Sequence, residues 1–467
     1  MTFAVICATT LIVQFGVLRA RLWSVSTATY LSFLLAVALG LEMNPYASVG
    51  SSVAMALVFY AFLFIGHRLG RAAGLARLMP VGRVERLLNA GWLRTGLLWW
   101  FVVYPLLPVV SVLASGQSLD ALLSAWTSNQ TAARAQAWVE YVYTQGDVSG
   151  VAALVRGLDR QLGAFWYLGV GVAVASRSRL LYPVLLTFAL VNFLVAGGTR
   201  TGIVQSLLLV ALIWLLTQRR QSRRSQLSLK VLLVTGLALV TLLFTLDELM
   251  AARMGRESSG DILQRVERTL RQDVAYGGIG VDLAERSGPP TVDRTAEYTL
   301  SLIGQPIPRA LWPGKPIQDP NWTMTEAYYG VDLRNIGNIT LFTPLGEALF
   351  YFGLAGLAII PLLYGFTVSA LAGLYSSSRL FVGLLAQVYV WALLGMRLTY
   401  WNVFASLVSG SLLLIVLLVV VPRLSLGRSA SGSTGQRVGA HWRPLPLPNA
   451  HLQSHGPTAA TGGPSQT

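Results

Sequence analysis

Ile307-Pro308-Arg309-Ala310-Leu311-Trp312-Pro313-Gly314-Lys315-Pro316 lies near the end of a polar segment that runs from Asp247 to Thr343. The segment is roughly a hundred residues long, and loops of that length in a compact chain are uncommon and usually functional. It fills with Arg, Asp, Glu, Trp, Tyr and Gly, whereas nearly everything on either side reads as apolar helix. Here the chain leaves lipid, and the flanking sequence is the apparatus that holds this loop over a bilayer.

The 467 residues are 54% hydrophobic and only 12% charged. Soluble domains run near about a quarter charged. That shortfall, with repeated apolar runs of about 17 residues or more, predicts an all-α polytopic membrane protein. Hydropathy places about eleven spans: Thr2–Leu18, Leu22–Leu41, Ala47–Gly66, Thr95–Ala114, Gln161–Ala175, Leu180–Ala196, Thr201–Thr217, Leu229–Leu246, Leu345–Leu374, Leu380–Met396 and Trp401–Val421. The first is read as a spanning helix, not a cleaved signal, because no basic region or small-residue cleavage site precedes Arg19. Residues 1–421 therefore form a transmembrane domain with outer loops 115–160 and 247–343. The Gly-, Ser-, Pro- and Thr-rich remainder, 422–467, reads as a disordered tail.

The net charge is +15. In a chain of spans, excess Arg reports topology first, not nucleic acid. The connector His67–Arg94 carries Arg68, Arg71, Arg77, Arg83, Arg86 and Arg94, and the connector Gln218–Lys230 is equally basic. With an odd number of spans these, Arg19/Arg21, Arg177/Arg179, Arg379 and the tail all fall on one side, which the positive-inside rule makes cytoplasmic. The N-terminus is then outside and the C-terminus inside. Every Asp and Glu except Glu85 falls at the outer face.

The four His (His67, His441, His451 and His455) and the single Cys7 leave the outer loops without His or thiol. That excludes a Ser-His triad, a thiol nucleophile and a His-ligated zinc there. Asp247-Glu248 is too little spacing to specify a metal site, so neither metal nor cofactor is expected. Carboxylates remain as bases, and Arg or Lys as charge stabilisers. Arg200, in Gly197-Gly198-Thr199-Arg200-Thr201-Gly202, and Arg397, in Met396-Arg397-Leu398-Thr399-Tyr400-Trp401, sit in very short outer connectors. Such an Arg either snorkels to headgroups or, beside the Arg-rich loop that also holds Arg253 and Arg256, grips a phosphate bidentately. The Pro-dense run stiffens the backbone around Arg309 and Lys315. Either it presents both cations in fixed places, or it is a loop wall. Trp312 belongs to a set of loop aromatics that suit either sugar stacking or an interfacial belt. Glu347, one turn inside the next helix, is an ionisable group at the interface, placed to accept a proton or to pair with an Arg. Asp261–Val274 has the apolar period of an amphipathic helix, which lies on the membrane, lids a cavity or packs on its own loop.

The Gly-Gly-Thr-Arg-Thr-Gly connector, the late outer loop, Pro308-Arg309 with Trp312-Pro313-Gly314-Lys315-Pro316, and Leu345-Gly346-Glu347 with Tyr351-Phe352-Gly353 together give a chain that resembles the bacterial O-antigen polymerase family (Wzy, the oligosaccharide repeat-unit polymerases). The resemblance covers most of the membrane region and not the tail. It implies an inverting glycosyl transfer at the periplasmic face of the inner membrane, acting on undecaprenyl-diphosphate-linked oligosaccharides, with a chain-length regulator as a candidate partner. On that reading Arg200, Arg309, Lys315 and Arg397 bind the diphosphate, and Arg253, Arg256 and Trp312 also contact substrate. Glu347 is then the base or an Arg-orienting partner. The rivals are an O-antigen ligase, which the missing outer His disfavours, a transporter or flippase of lipid-linked sugars, and a non-enzymatic assembly scaffold.

Overall fold

The computed structural model describes residues 24–42, 49–77, 80–107, 151–195, 200–221, 277–307, 312, 320–331 and 342–418, with the backbone alone at 151–161 and 200–203 among others. The predicted spans Thr2–Leu18 and Leu229–Leu246, the predicted helix Asp261–Val274 and the tail 422–467 lie outside these residues. Within them every regular element is helical. The apolar part holds α1 (Val25–Phe33), α2 (Leu39–Glu42), α3 (Val49–Ala72), α4 (Val81–Leu88), α5 (Gly91–Val103), α6 (Val151–Ala175), α7 (Leu181–Val195) and α8 (Arg200–Gln221). The polar segment contributes α9 (Gly277–Ser287), α10 (Val292–Gly304) and α11 (Pro320–Tyr329). The chain then returns through α12 (Thr343–Phe352), α13 (Gly356–Tyr375), α14 (Val382–Leu394) and α15 (Tyr400–Phe404).

Among the described residues four stretches are long and apolar enough to cross a membrane: Val53–Arg77, Thr343–Tyr375, Arg379–Arg397 and Tyr400–Leu418. Shorter apolar helices, Val25–Leu41, Leu162–Ala175, Leu181–Asn192 and Val204–Gln218, stand with them. The protein is an all-α membrane protein.

Lipid tails are as apolar as Leu, so helices in a bilayer associate through close packing and interhelical hydrogen bonds. Both are visible between α3 and α13. A Cβ on Gly66 would strike the Leu362 carbonyl, and one on Gly70 the Phe366 carbonyl. The four-residue spacing of these glycines puts them on one face and lets the backbones touch. That approach buries His67, whose Nδ1 pairs with Ser369 Oγ at 2.5 Å. The sequence placed His67 in a connector. It lies instead inside α3, because the glycine face carries the close packing past Gly66.

The last helices form the middle of the bundle. Leu384, Leu385, Val388 and Ala392 of α14 belong to the larger apolar cluster, with α1, α3, α12 and α13. Ala386 and Val390 of the same helix belong to a second cluster, with Phe101, Trp166, Leu185 and Ile213. The basic connectors meet at one end of the bundle: Arg94 Nη2 donates to Ser176 Oγ at 2.8 Å and Ser378 Oγ donates to Glu85 Oε1 at 2.6 Å. At the same end Arg71 Nη2 donates to Ser26 Oγ at 2.6 Å.

Two further boundaries differ from the sequence reading where the site is built. Helix α6 begins at Val151, so its first turns extend into what the sequence assigned to the first outer loop. The single span Leu345–Leu374 is divided at Gly353, whose φ of 60° breaks the helix. A Cβ on Gly356 would strike the Ala348 carbonyl. In a continuous helix, residues eight apart are about 12 Å apart along the axis, so α12 folds sharply back on the first turn of α13.

Candidate functional site at the Glu347 turn

The short helix α12 is buried along almost its whole length, from Thr343 to Tyr351. It is sheathed by α13 on one side and by α9, from the polar segment, on the other. Gly280 and Gly346 make the second contact possible, because a Cβ on either would collide with the Cα of the other. Thr343 opens α12 at φ 55°, and it is fully buried. For a β-branched residue that conformation is a genuine outlier, of the kind that surrounding structure imposes at sites of function.

Facing α12, the chain breaks after α14. A single tight turn, Gly395–Arg397, is followed by extended Leu398 and Thr399, and α15 starts at Tyr400. The first amides of any helix lack intrahelical acceptors and carry partial positive charge. Thr399 stands at the cap position without capping through its own side chain. The carboxylate of Glu347 supplies the acceptors instead. Its Oε2 accepts from the Tyr400 N–H, and its Oε1 accepts from the Trp401 N–H at 3.0 Å and from the Tyr298 hydroxyl at 2.7 Å. Glu347 is fully buried. Three donors on one buried carboxylate satisfy its oxygens and compensate a burial that would otherwise be costly. Burial, and next the Glu347 charge, push the Tyr298 phenol well above the ordinary tyrosine range, so it stays a donor.

The helices of the polar segment clamp the same place. From α10, Thr295 Oγ1 donates to the Tyr351 carbonyl at 2.6 Å, and the Arg294 guanidinium lies 4.2 Å from the Phe350 ring centre. From α11, Asn321 Nδ2 donates to Thr399 Oγ1 at 3.3 Å, and the Tyr351 hydroxyl donates to the Pro320 carbonyl at 3.2 Å. Helices α9 and α11 are themselves joined through Asp282, which accepts from Arg286 Nε and from the Tyr328 hydroxyl, each at 2.9 Å. The Arg286 hydrogen bond, with that of Tyr328, holds the Asp282 carboxyl below its usual range.

Of the residues singled out from sequence, Glu347 and Arg397 come together. The Gly395–Arg397 turn packs against α12, and Arg397 is half-buried there. Arg200 begins α8. Gln205 of that helix lines a cavity with Trp401 and Asn402, so the start of α8 belongs to this end of the bundle. Trp312 is half-buried. Arg253, Arg256, Arg309 and Lys315 lie outside the described residues. Among the described residues no group of three His, Cys, Asp or Glu side chains is placed to hold a metal ion.

Sequence reasoning missed three partners. Tyr298 was one aromatic among many, Asn321 carried no signal, and the Gly280–Gly346 contact needs both backbones in hand. The useful clue was local: Thr291 as a capping residue ahead of Val292–Gly304, with Tyr298 and Ser301 on one face, marks a helix with a polar stripe turned inward. Comparison of the chain with family models, with curated proteins and with solved structures finds no match.

Proposed function

We propose that this protein is a membrane glycosyltransferase that polymerises undecaprenyl-diphosphate-linked oligosaccharide repeat units at the periplasmic face of the inner membrane. On this reading the chain crosses about eleven times, with its N-terminus outside and its basic connectors in the cytoplasm. The observation that carries it is the Glu347 turn: a buried carboxylate pins the 395–401 break, and with it Arg397, at the end of the bundle where Arg200 starts α8. Cations at the end of a membrane bundle suit a lipid diphosphate, whose charge grows as it leaves.

In the transfer, the oxygen of a sugar hydroxyl attacks the anomeric carbon from the face opposite the diphosphate. The anomeric carbon–oxygen bond breaks with its electron pair going to the diphosphate, and the hydroxyl proton passes to solvent or to an outer carboxylate. Arg200, Arg397, Arg309 and Lys315 take the diphosphate charge; Arg253, Arg256 and Trp312 line the approach. Glu347, with three donors already on its oxygens, works as a positioning residue and not as the base.

A strain lacking the gene tests this. Surface glycan capped at one repeat unit, with lipid-linked single units accumulating outside, is the expected result. Full-length polymer stranded on its carrier indicates a ligase, and single units trapped on the inner leaflet indicate a flippase.

A further inference from the structure

A cavity of about 390 Å³ opens between the ends of α5, α6, α7, α8, α14 and α15. Its size falls in the range of about 300–1,000 Å³ typical of small-molecule sites. The chain runs through these helices in alternating directions, and each gives the cavity the end that lies away from the Arg-rich connectors. Among the described residues the lining holds no Asp, Glu, Lys, Arg or His. It holds four primary amides, Asn192, Gln205, Gln387 and Asn402, together with aromatic rings that include Trp391 and Trp401.

The amides are unusual company for apolar helices. A primary amide without a partner in an apolar setting is costly. Asn402 Nδ2 donates to Thr399 Oγ1 at 2.8 Å and Gln387 Nε2 reaches the Ser406 carbonyl at 3.4 Å. Asn192 and Gln205 have no hydrogen-bond partner among the described residues. Neither has the Trp401 indole N–H, which is buried. These groups want a ligand that both donates and accepts.

We infer that this cavity seats an uncharged sugar. Hydroxyls donate and accept as the amides require, sugar C–H faces stack on indole and phenol rings, and a lining whose described residues carry no ionised group disfavours a uronate or an amino sugar with a free ammonium. A lipid tail does not need the amides. The inference rests on the glycosyl-transfer reading for the carrier: the sugar is the one nearest the diphosphate or the acceptor end of a repeat unit. Trp401 joins the two sites, since its backbone N–H binds Glu347 and its ring lines the cavity.

The test uses full-length protein in lipid nanodiscs and reads tryptophan fluorescence. The probes are farnesyl diphosphate alone, the same carrier bearing one neutral sugar (glucose, galactose or N-acetylglucosamine), and the carrier bearing glucuronic acid. At least one neutral-sugar probe binds more tightly than the bare carrier by about tenfold or more, the worth of one or two buried hydrogen bonds, and the glucuronate probe does not. The double variant Asn192→Leu, Gln205→Leu erases that difference while binding bare farnesyl diphosphate as before, which also shows it folded. A variant that keeps the preference, a wild type without one, or equal binding of the glucuronate probe overturns the inference. Amide-dependent sugar binding in a protein whose deletion leaves the polymer intact upholds the seat and overturns the polymerase. Normal polymer from the double variant, with single units in the deletion strain, does the reverse.

Discussion

The hydroxyl of Tyr298, on a helix from the polar segment, donates at 2.7 Å to the buried carboxylate of Glu347, which at the same time caps the helix beginning at Tyr400. One side chain thus ties the loop outside the apolar helices to a break within them. Tyr298→Phe removes the phenol donor and leaves both amide donors. A hydrogen bond to a charged group is worth about 1.5–3 kcal/mol, so thermal stability in detergent falls by an amount of that order. On the proposed reading, in which Glu347 positions and does not take the proton, polymer formation weakens without a change in its pH dependence. A pH profile displaced by Tyr298→Phe would return Glu347 to the role of base.

Glu347→Gln is more severe. The amide retains one acceptor oxygen, and its NH2 must face the Tyr400 N–H or the pair formed by Trp401 N–H and Tyr298. A buried donor left without an acceptor costs about 1–3 kcal/mol, and more where a charge has been lost. The variant is expected to lose both stability and polymer, whereas Glu347→Ala with surviving stability and lost activity would mean that the carboxylate serves chemistry alone. The readouts are a melting curve and a glycan gel from the same preparation.

The glycine face separates packing from function. Gly66→Ala drives a methyl into the Leu362 carbonyl, and overpacking of this kind costs about 1–3 kcal/mol. Gly82→Ala, where nothing lies within 4 Å of the added carbon, gains helix propensity worth about 0.5–1 kcal/mol. Opposite shifts of melting temperature for the two variants are the expected result.

The helical class was legible because it rests on period and composition, and Glu347 and Arg397 drew notice as rare charges in apolar context. The division of Leu345–Leu374 was not. Its apolar run is continuous, and only the backbone of Gly353 in the left-handed region reveals the turn. Nor was the partnership of Glu347 with Tyr298 legible. The two residues are 49 apart in sequence, and nothing in either local pattern names the other. The cavity amides were hidden for a related reason: each lies in a different span, and their convergence appears only when five connections have been folded.

Asp282 gives the pH dependence a sign. Its folded pKa lies below the ordinary aspartate value, chiefly through the hydrogen bond from Arg286. A depressed carboxylate contributes stability above its unfolded pKa and loses it as pH falls through the folded value. The Asp282 contribution to the α9–α11 junction is therefore fully present above the ordinary aspartate range and is lost only in acid below it. Asp282→Asn removes this dependence and costs under about 1 kcal/mol at neutral pH, because the pair with Arg286 is largely solvated. Tryptophan fluorescence or hydrogen exchange across 277–287 and 320–329, followed from pH 7 downward, checks both statements. Loosening of the wild-type junction near neutrality would show that a different group holds α9 to α11.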